Sequence, residues 1–258
     1  MIRIGISGAA GRMGRAVASV AARFNDIKVT AFVERKGHEL VNTKINGVTV
    51  TDDLNKVVND FDVYVDFSAP QASLEAIKIL LPAGRALVLA TTGFTKEETA
   101  IIDAASKKMP LVFSSNYSVG INVMWKILEQ VTPILRDDYD IDIVESHHRH
   151  KKDSPSGTAV TCAEIIMREK GLPYDENVIY GRSGRDNERP RGQLGVLAVR
   201  GGGVMGEHTV IYAGDDDKLE IKHTIISRDT LAAGAVRAAK YVHGKKAGLY
   251  SMKDVLGL

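Results

Sequence analysis

The sequence predicts an α/β protein in which a doubly wound parallel sheet, built from both ends of the chain, is interrupted by an α+β domain with a mixed or antiparallel open sheet. Three observations predict it. Short apolar runs alternate with helical periodicity up to residue 118, the pattern then changes, and a last helix follows a set of strands that alternate polar and apolar. The division this implies is residues 1–118 with 226–258 for the first domain and residues 119–225 for the second.

Ile2–Ser7 reads as a short buried strand, Gly11–Phe24 as a helix with small residues on its packing face, and Ile27–Glu34 as a second strand. Asp62–Phe67, Ala86–Ala90 and Leu111–Phe113 are further apolar runs ended by turn residues, with helical periodicity between them at Gln71–Leu81 and Lys96–Lys107. Strands and helices in this alternation make parallel βαβ units, which close right-handed.

In the second half, Val119–Leu135 reads as a long apolar helix, Tyr139–Glu145 as a strand, and a helix runs from near Pro155 to Lys170, stopped by Gly171. Residues 174–192, rich in Gly, Arg, Asp and Asn, read as an exposed loop. Leu194–Val199, His208–Tyr212 and Leu219–Ile225 follow as strands, the last two joined by the turn Ala213–Asp217. Leu219, Ile221, His223 and Ile225 alternate with Glu220, Lys222 and Thr224, as in a half-buried antiparallel strand. Helices near 228–242 and 251–256 close the chain.

The balance of 34 basic against 32 acidic residues leaves a formal charge of +2, which argues against a dedicated nucleic-acid or membrane-surface binder. Cys162 is the one cysteine, so no intramolecular disulfide or cysteine-rich zinc site is expected. The opening residues lack a signal-peptide pattern and no run reaches the length of a membrane helix, so a cytoplasmic protein is expected.

Gly8-Ala9-Ala10-Gly11-Arg12-Met13-Gly14 follows the first strand and opens the first helix. Glycines here permit a tight turn and close backbone approach to a pyrophosphate at the helix N-terminus. The pattern is GxxGxxG, and alone it does not separate a ligand site from an ordinary glycine-rich turn. Context strengthens a Rossmann-like reading. Glu34 ends the second strand, twenty positions after Gly14, where an acidic residue accepts hydrogen bonds from the adenine ribose. Arg35 follows and can pair with a 2′-phosphate, so the doublet points to use of both NADH and NADPH. A solvated charge cluster, Glu34-Arg35-Lys36, is the ordinary alternative. Thr91-Thr92-Gly93 and Ser114-Ser115-Asn116-Tyr117 follow later strands at their carboxyl ends, where open α/β sheets bind ligands.

The most informative stretch is Glu145–Ala159. Three histidines, one arginine and two lysines occupy residues 147–152 and run directly into Ser156-Gly157-Thr158-Ala159, the start of a helix. Histidine titrates near neutral pH, and a helix start beside cationic side chains suits a substrate with one or two carboxylates. Three alternatives stand beside this. A metal site through His147 and His150 lacks the expected partners, so no metal is expected. A nucleic-acid patch lacks interleaved aromatics. A solvated basic loop with Ser/Thr capping is the serious competitor.

Taken with the Gly8–Gly14 turn, the stretch resembles the 4-hydroxy-tetrahydrodipicolinate reductase (dihydrodipicolinate reductase) family over essentially the whole chain. Val65-Asp66-Phe67-Ser68, Thr91-Thr92-Gly93, Asn116-Tyr117-Ser118-Val119-Gly120 and Arg200-Gly201-Gly202 fall in the family's order. The resemblance implies NAD(P)H-dependent reduction of a cyclic dicarboxylate imine to tetrahydrodipicolinate, with water as the second product, in diaminopimelate and lysine biosynthesis. It implies His147 as acid/base, Lys151 as proton donor, and His148, Gly157 and Thr158 as substrate-binding. It also implies a cofactor site of Gly8, Ala9, Ala10, Gly11, Arg12, Met13, Glu34, Arg35, Ala90, Thr91, Thr92, Ser114, Ser115, Asn116 and Tyr117. A homotetramer built through the second domain's sheet is carried over in the same way. Ala90, Lys152 and Ser154 depart from the residues frequent in the family. The competing expectations are another two-domain NAD(P)-dependent dehydrogenase of amino-acid precursors and a non-catalytic NAD(P) sensor, which would not need the histidine–lysine segment.

Overall fold

Strands buried on both faces must be apolar without alternation, and the first half of this chain is built from such strands. The computed structural model describes residues 1–136 and 138–258. The chain divides into two compact units, Met1–Val119 with Arg228–Leu258, and Gly120–Ser227.

In the first unit the elements are β1 (Ile2–Ser7), α1 (Arg12–Ala21), β2 (Ile27–Val33), β3 (Lys44–Ile45), β4 (Val48–Thr51), β5 (Val63–Asp66), α2 (Pro70–Leu80), β6 (Ala86–Leu89), α3 (Lys96–Ser106) and β7 (Pro110–Phe113). After the second unit's α4 (Val119–Leu135), β8 (Asp140–His147), α5 (Gly157–Lys170), α6 (Tyr174–Asn177), β9 (Val178–Ile179), β10 (Leu194–Arg200), β11 (Glu207–Ala213) and β12 (Lys218–Thr224), the first unit is completed by α7 (Asp229–Val242), β13 (Gly248–Tyr250) and α8 (Met252–Leu256).

The first unit's sheet has eight strands in the order β13-β7-β6-β5-β1-β2-β4-β3. All neighbours are parallel except the β3–β4 hairpin at one edge. One face packs on α1 and α7 through Ile4, Ile6, Val65, Val88, Val17 and Val236. The other packs on α2 and α3 through Tyr64, Leu87, Leu89, Ile77 and Ile102. The order of strands reverses between β1 and β5, which opens a crevice at their carboxyl ends, Ser7 and Asp66.

The second unit's sheet runs β12-β11-β8-β10-β9 and is mixed: β8 is parallel to β10 and antiparallel to β11. One face carries Ile141, Ile143, Val196, Val210 and Tyr212 into a core closed by α4 and α5, with Trp125, Leu128, Cys162 and Ile166. Burial pushes the Cys162 thiol up to about 12, so it is a packed side chain and not a nucleophile. Glu145 and His147 lie on this face at the end of β8, because side chains two apart on a strand point the same way.

Four features differ from the sequence expectation. The stretch 174–192 is not loop throughout, because α6 and β9 occupy Tyr174–Ile179 and β9 pairs with β10. Residues 44–51 form a hairpin whose turn, Asn46-Gly47, takes positive φ at both positions. Finally, β13 adds an edge strand to β7, and Leu219 on the edge strand β12 is 42% exposed rather than half-buried.

Candidate functional site

The crevice of the first unit is shaped by the glycine turn. Gly8 has φ +61, and Gly11 N–H donates to Gly8 O at 2.8 Å, folding the chain back before α1 begins. A side chain at Gly14 would run into the Gly8 carbonyl oxygen, so α1 starts hard against the turn. Gly11 caps α1 without a side-chain hydrogen bond and no acid sits in the first turn. An uncapped helix end of this kind favours an anion. A cavity of about 400 Å³ opens beside it, lined by the turn with Glu34, Arg35, His38 and Phe67. These residues fit a dinucleotide: glycines where a phosphate must approach closely, and an acid–base doublet at the end of β2.

Glu34 holds the turn as well. Its carboxylate accepts from Ala10 N–H and Arg35 N–H, both at 2.9 Å. Ala9 is buried, whereas Arg12 and Arg35 are exposed and Met13 is half-buried. Beneath the turn, buried Asp66 accepts from Ser7 Oγ at 2.5 Å and Ser68 N–H at 3.0 Å. Thr91 Oγ1 accepts from Ser68 N–H at 3.1 Å and from Ser73 Oγ at 2.9 Å. This chain of bonds ties the carboxyl ends of β1, β5 and β6 together.

The later turns are less open than their sequence implies. Thr92 and Ser115 are exposed and Ala90 is half-buried, but Thr91 is turned inward to the network just described. Ser114 Oγ donates to Asn116 O at 2.9 Å, and Asn116 Oδ1 accepts from Ser118 N–H at 2.8 Å, bracing the turn after β7. Tyr117 lies inside the core, and its hydroxyl donates to the carbonyls of Leu89 (2.9 Å) and Val112 (3.1 Å). Its side chain is therefore a strut between β6 and β7 and not a surface for a cofactor. Its backbone carbonyl in turn packs against Gly234 of α7, where no Cβ would fit.

In the second unit, His147 ends β8, His148 and Lys151 lie on the loop after it, and Gly157 and Thr158 open α5; of these, Lys151 lies close enough to His147 to lower its pKa. Ser156 caps α5 by accepting from Ala159 N–H at 3.3 Å, while its hydroxyl lies 2.9 Å from His208 Nε2. Gly157 is exposed, and an added Cβ there would meet no atom within 4 Å. Lys151 Nζ is 3.0 Å from Asp153, whose carboxylate is held below its usual range: burial would raise it, but Lys151, the Asp153 backbone and Arg200 together outweigh that. His148 is half-buried, 6.2 Å from the ring of His150.

Four groups here escaped the sequence reading as site residues: Glu145, Asp153, Arg200 and His208. Glu145 is fully buried, yet its carboxylate accepts from His147 Nδ1 at 2.5 Å, Ser156 N–H at 2.9 Å and both terminal nitrogens of Arg200. Burial alone would raise its pKa, but these donors hold it below the ordinary carboxylate value. Burial lowers the pKa of His147, and the neighbouring Glu145 carboxylate opposes only part of that. His208, its ring centroid 5.2 Å from that of His147, is driven by burial down to about 3 and is neutral. The i, i+2 spacing of Glu145 and His147 on one strand was the available signal for the first of these.

Residues 2–117 match the family model described as Dihydrodipicolinate reductase, N-terminus, and residues 120–256 match Dihydrodipicolinate reductase, C-terminus. The chain is 44% identical to the 4-hydroxy-tetrahydrodipicolinate reductase of Geobacter metallireducens and 43% identical to that of Pseudomonas fluorescens, each match covering 100% of both chains. Its fold is similar to that of a dipicolinate-bound dihydrodipicolinate reductase from a Paenisporosarcina species, with a TM-score of 0.79 at 22% identity over 98% of this chain and 99% of that one. An amine dehydrogenase from Mycobacterium smegmatis shares the fold at a TM-score of 0.66 and 14% identity, over 97% and 95% of the two chains. With both of its segments matched and full-length relatives above 40% identity, this chain belongs to the dihydrodipicolinate reductase family.

Proposed function

We infer that this chain is an NAD(P)H-dependent reductase that converts 4-hydroxy-tetrahydrodipicolinate to tetrahydrodipicolinate, with release of water, in diaminopimelate and lysine biosynthesis. The observation that carries the reading is that one buried carboxylate, Glu145, accepts from both His147 Nδ1 and the Ser156 N–H at the start of α5, with Lys151 close enough to His147 to lower its pKa. A small dicarboxylate needs that combination of cations and a helix N-terminus.

The cofactor, when bound, supplies a hydride. The Gly8–Gly14 turn and the uncapped end of α1 bind its pyrophosphate, Glu34 orients the ribose, and Arg35 meets a 2′-phosphate where one is present. On the substrate side, His148 with the Gly157 and Thr158 backbone takes a carboxylate. Loss of the substrate hydroxyl with a neighbouring ring hydrogen, as water, would leave the unsaturated carbon that takes the hydride; the anion so formed would take its proton from the Lys151 ammonium, whose charge also favours it. His147 serves in acid/base exchange beside it.

We place the protein in the cytoplasm; among the described residues no helix is long and apolar enough to cross a membrane. We also propose a homotetramer formed through the open face of the second sheet, supported by Leu197 and Val199, which are 37% and 51% exposed there. The alternative is a related two-domain NAD(P)-dependent dehydrogenase acting on another amino-acid precursor, the kind of chemistry that shares this fold. A coupled assay separates the two. Pyruvate and aspartate semialdehyde are condensed by the synthase that precedes this step, this protein is added, and NADH or NADPH loss is followed. Absence of substrate-dependent oxidation with either cofactor refutes the reductase.

A further inference from the structure

We propose that Glu145 and Arg200 act as a positioning pair, which fixes His147 as a hydrogen-bond and proton acceptor toward substrate and ties the Lys151 loop to the same strands. The proposal rests on the reductase reading for its reaction, but its geometry stands apart from it.

A carboxylate without solvent costs several kcal/mol unless its lone pairs are filled. Glu145 fills them completely. Arg200 lies in register with His147 across the parallel β8–β10 pair and approaches from the neighbouring strand on the same face. Its two terminal nitrogens donate to Glu145 Oε2 at 2.8 Å and Oε1 at 2.7 Å, in the fork that a guanidinium offers and an ammonium does not. One of those nitrogens also donates to Asp153 O at 2.8 Å. Asp153 is the residue that pairs with Lys151. A single guanidinium therefore holds both the carboxylate under His147 and the loop that carries Lys151.

The consequence for His147 is a choice of tautomer. An ionised carboxylate only accepts, so the nitrogen facing Glu145 carries the hydrogen, and in the neutral ring Nε2 keeps its lone pair. The groups facing this imidazole are Glu145 on β8, Arg200 on β10, His208 on β11 and Lys151 in the loop. Glu145 favours the protonated ring, while burial and the two cations oppose it. His208 adds no charge, being neutral. Nε2 has Gly206 opposite it: a Cβ added there would come within 3.0 Å, so any larger residue would crowd the acceptor. With His147 held as an acceptor, the donor of the reaction is Lys151.

The test compares wild type, Glu145→Gln and Arg200→Lys by kcat, substrate KM, cofactor titration and melting, with kcat/KM followed from about pH 5 to 10. Glu145→Gln is isosteric and offers His147 either a donor or an acceptor, so the ring loses its single tautomer. The expected result is a fall in kcat of at least about 10-fold, the order seen when a supporting hydrogen bond is lost. Cofactor affinity stays unchanged. The acid limb of kcat/KM moves to lower pH, because the charge favouring imidazolium is gone. Arg200→Lys keeps the charge and loses the fork, so it loses turnover with the acid limb in place. Wild-type kcat and an unmoved acid limb in Glu145→Gln overturn the proposal; if that variant does not fold, wild-type kcat in Arg200→Lys overturns it. Imidazole ¹⁵N shifts of His147 need no turnover. An Nδ1–H tautomer in a protein that fails the coupled assay refutes the reaction and leaves the pair standing, whereas mixed tautomers in wild type refute the pair.

Discussion

Gly157→Ala separates a glycine kept for the fold from one kept for a ligand. Gly157 opens α5 with an ordinary backbone, and the space where a Cβ would stand is empty to 4 Å. The fold therefore does not need glycine there. Alanine is favoured over glycine inside a helix by up to about 1 kcal/mol, and a first position gains a fraction of that. Melting should rise by zero to about 3 °C, since about 1 kcal/mol moves a chain of this size by roughly 2–4 °C. If a substrate carboxylate uses the Gly157 and Thr158 backbone, the added methyl occupies the approach. A loss of about 1.4–2.8 kcal/mol of binding then appears as a substrate KM raised about 10- to 100-fold. Initial rates in the coupled assay with scanning fluorimetry on the same preparation measure both. An unchanged KM refutes the placement of the carboxylate, and a lowered melting temperature refutes the claim that the space is free.

Lys151→Ala should lose about 10²- to 10⁴-fold in kcat, the range for a missing proton donor, with NADH affinity unchanged in a direct titration; a collapse of cofactor binding alongside kcat contradicts the assignment. Arg35→Ala should raise KM for NADPH by about 10-fold while leaving NADH nearly unaffected, a loss of the order of one exposed charge-assisted contact, and an equal loss for both refutes the 2′-phosphate role. Stability should fall as pH drops below about 6.5, where unfolded histidine takes a proton that folded His208, lowered to about 3, refuses. The unfolded chain then binds more protons, so the slope has the sign of stability rising with pH, by at most about 1.4 kcal/mol per unit from this group. Urea unfolding at about pH 7.5 and 5.5 measures it, and a His208→Asn variant that keeps the whole slope would show that another group carries it.

The parallel sheet was legible because strands buried on both faces leave continuous apolar runs such as Tyr64–Val65 and Ala86–Leu89, separated by helices of recognisable period. The β3–β4 hairpin carried a local signal, Asn46-Gly47, but its strands of two and four residues are too short for periodicity to mark. Local pattern says nothing of β13, whose pairing joins Gly248 to Pro110 across the intervening second unit. Tyr117 shows the reverse limit: its place after a strand suggested a cofactor contact, and only the packing of β6 and β7 revealed where its hydroxyl is spent.

By itself the sequence determined that glycines open a helix at Gly8–Gly14, that an acid–base doublet ends β2, and that imidazoles and ammonium groups gather before α5. These are matters of spacing along one segment, where neighbours in sequence are neighbours in space. Only tertiary structure decided how those groups are charged and held. Arg200 reaches Glu145 because β10 lies in register beside β8, and His208 reaches Ser156 because β11 lies on the other side. Hydrogen bonds and burial act across strands whose paired positions are 53 to 73 residues apart, from Leu194 with Ile141 to Ala213 with Asp140. The chemistry of His147 is therefore written in its strand, and its protonation state in its neighbours.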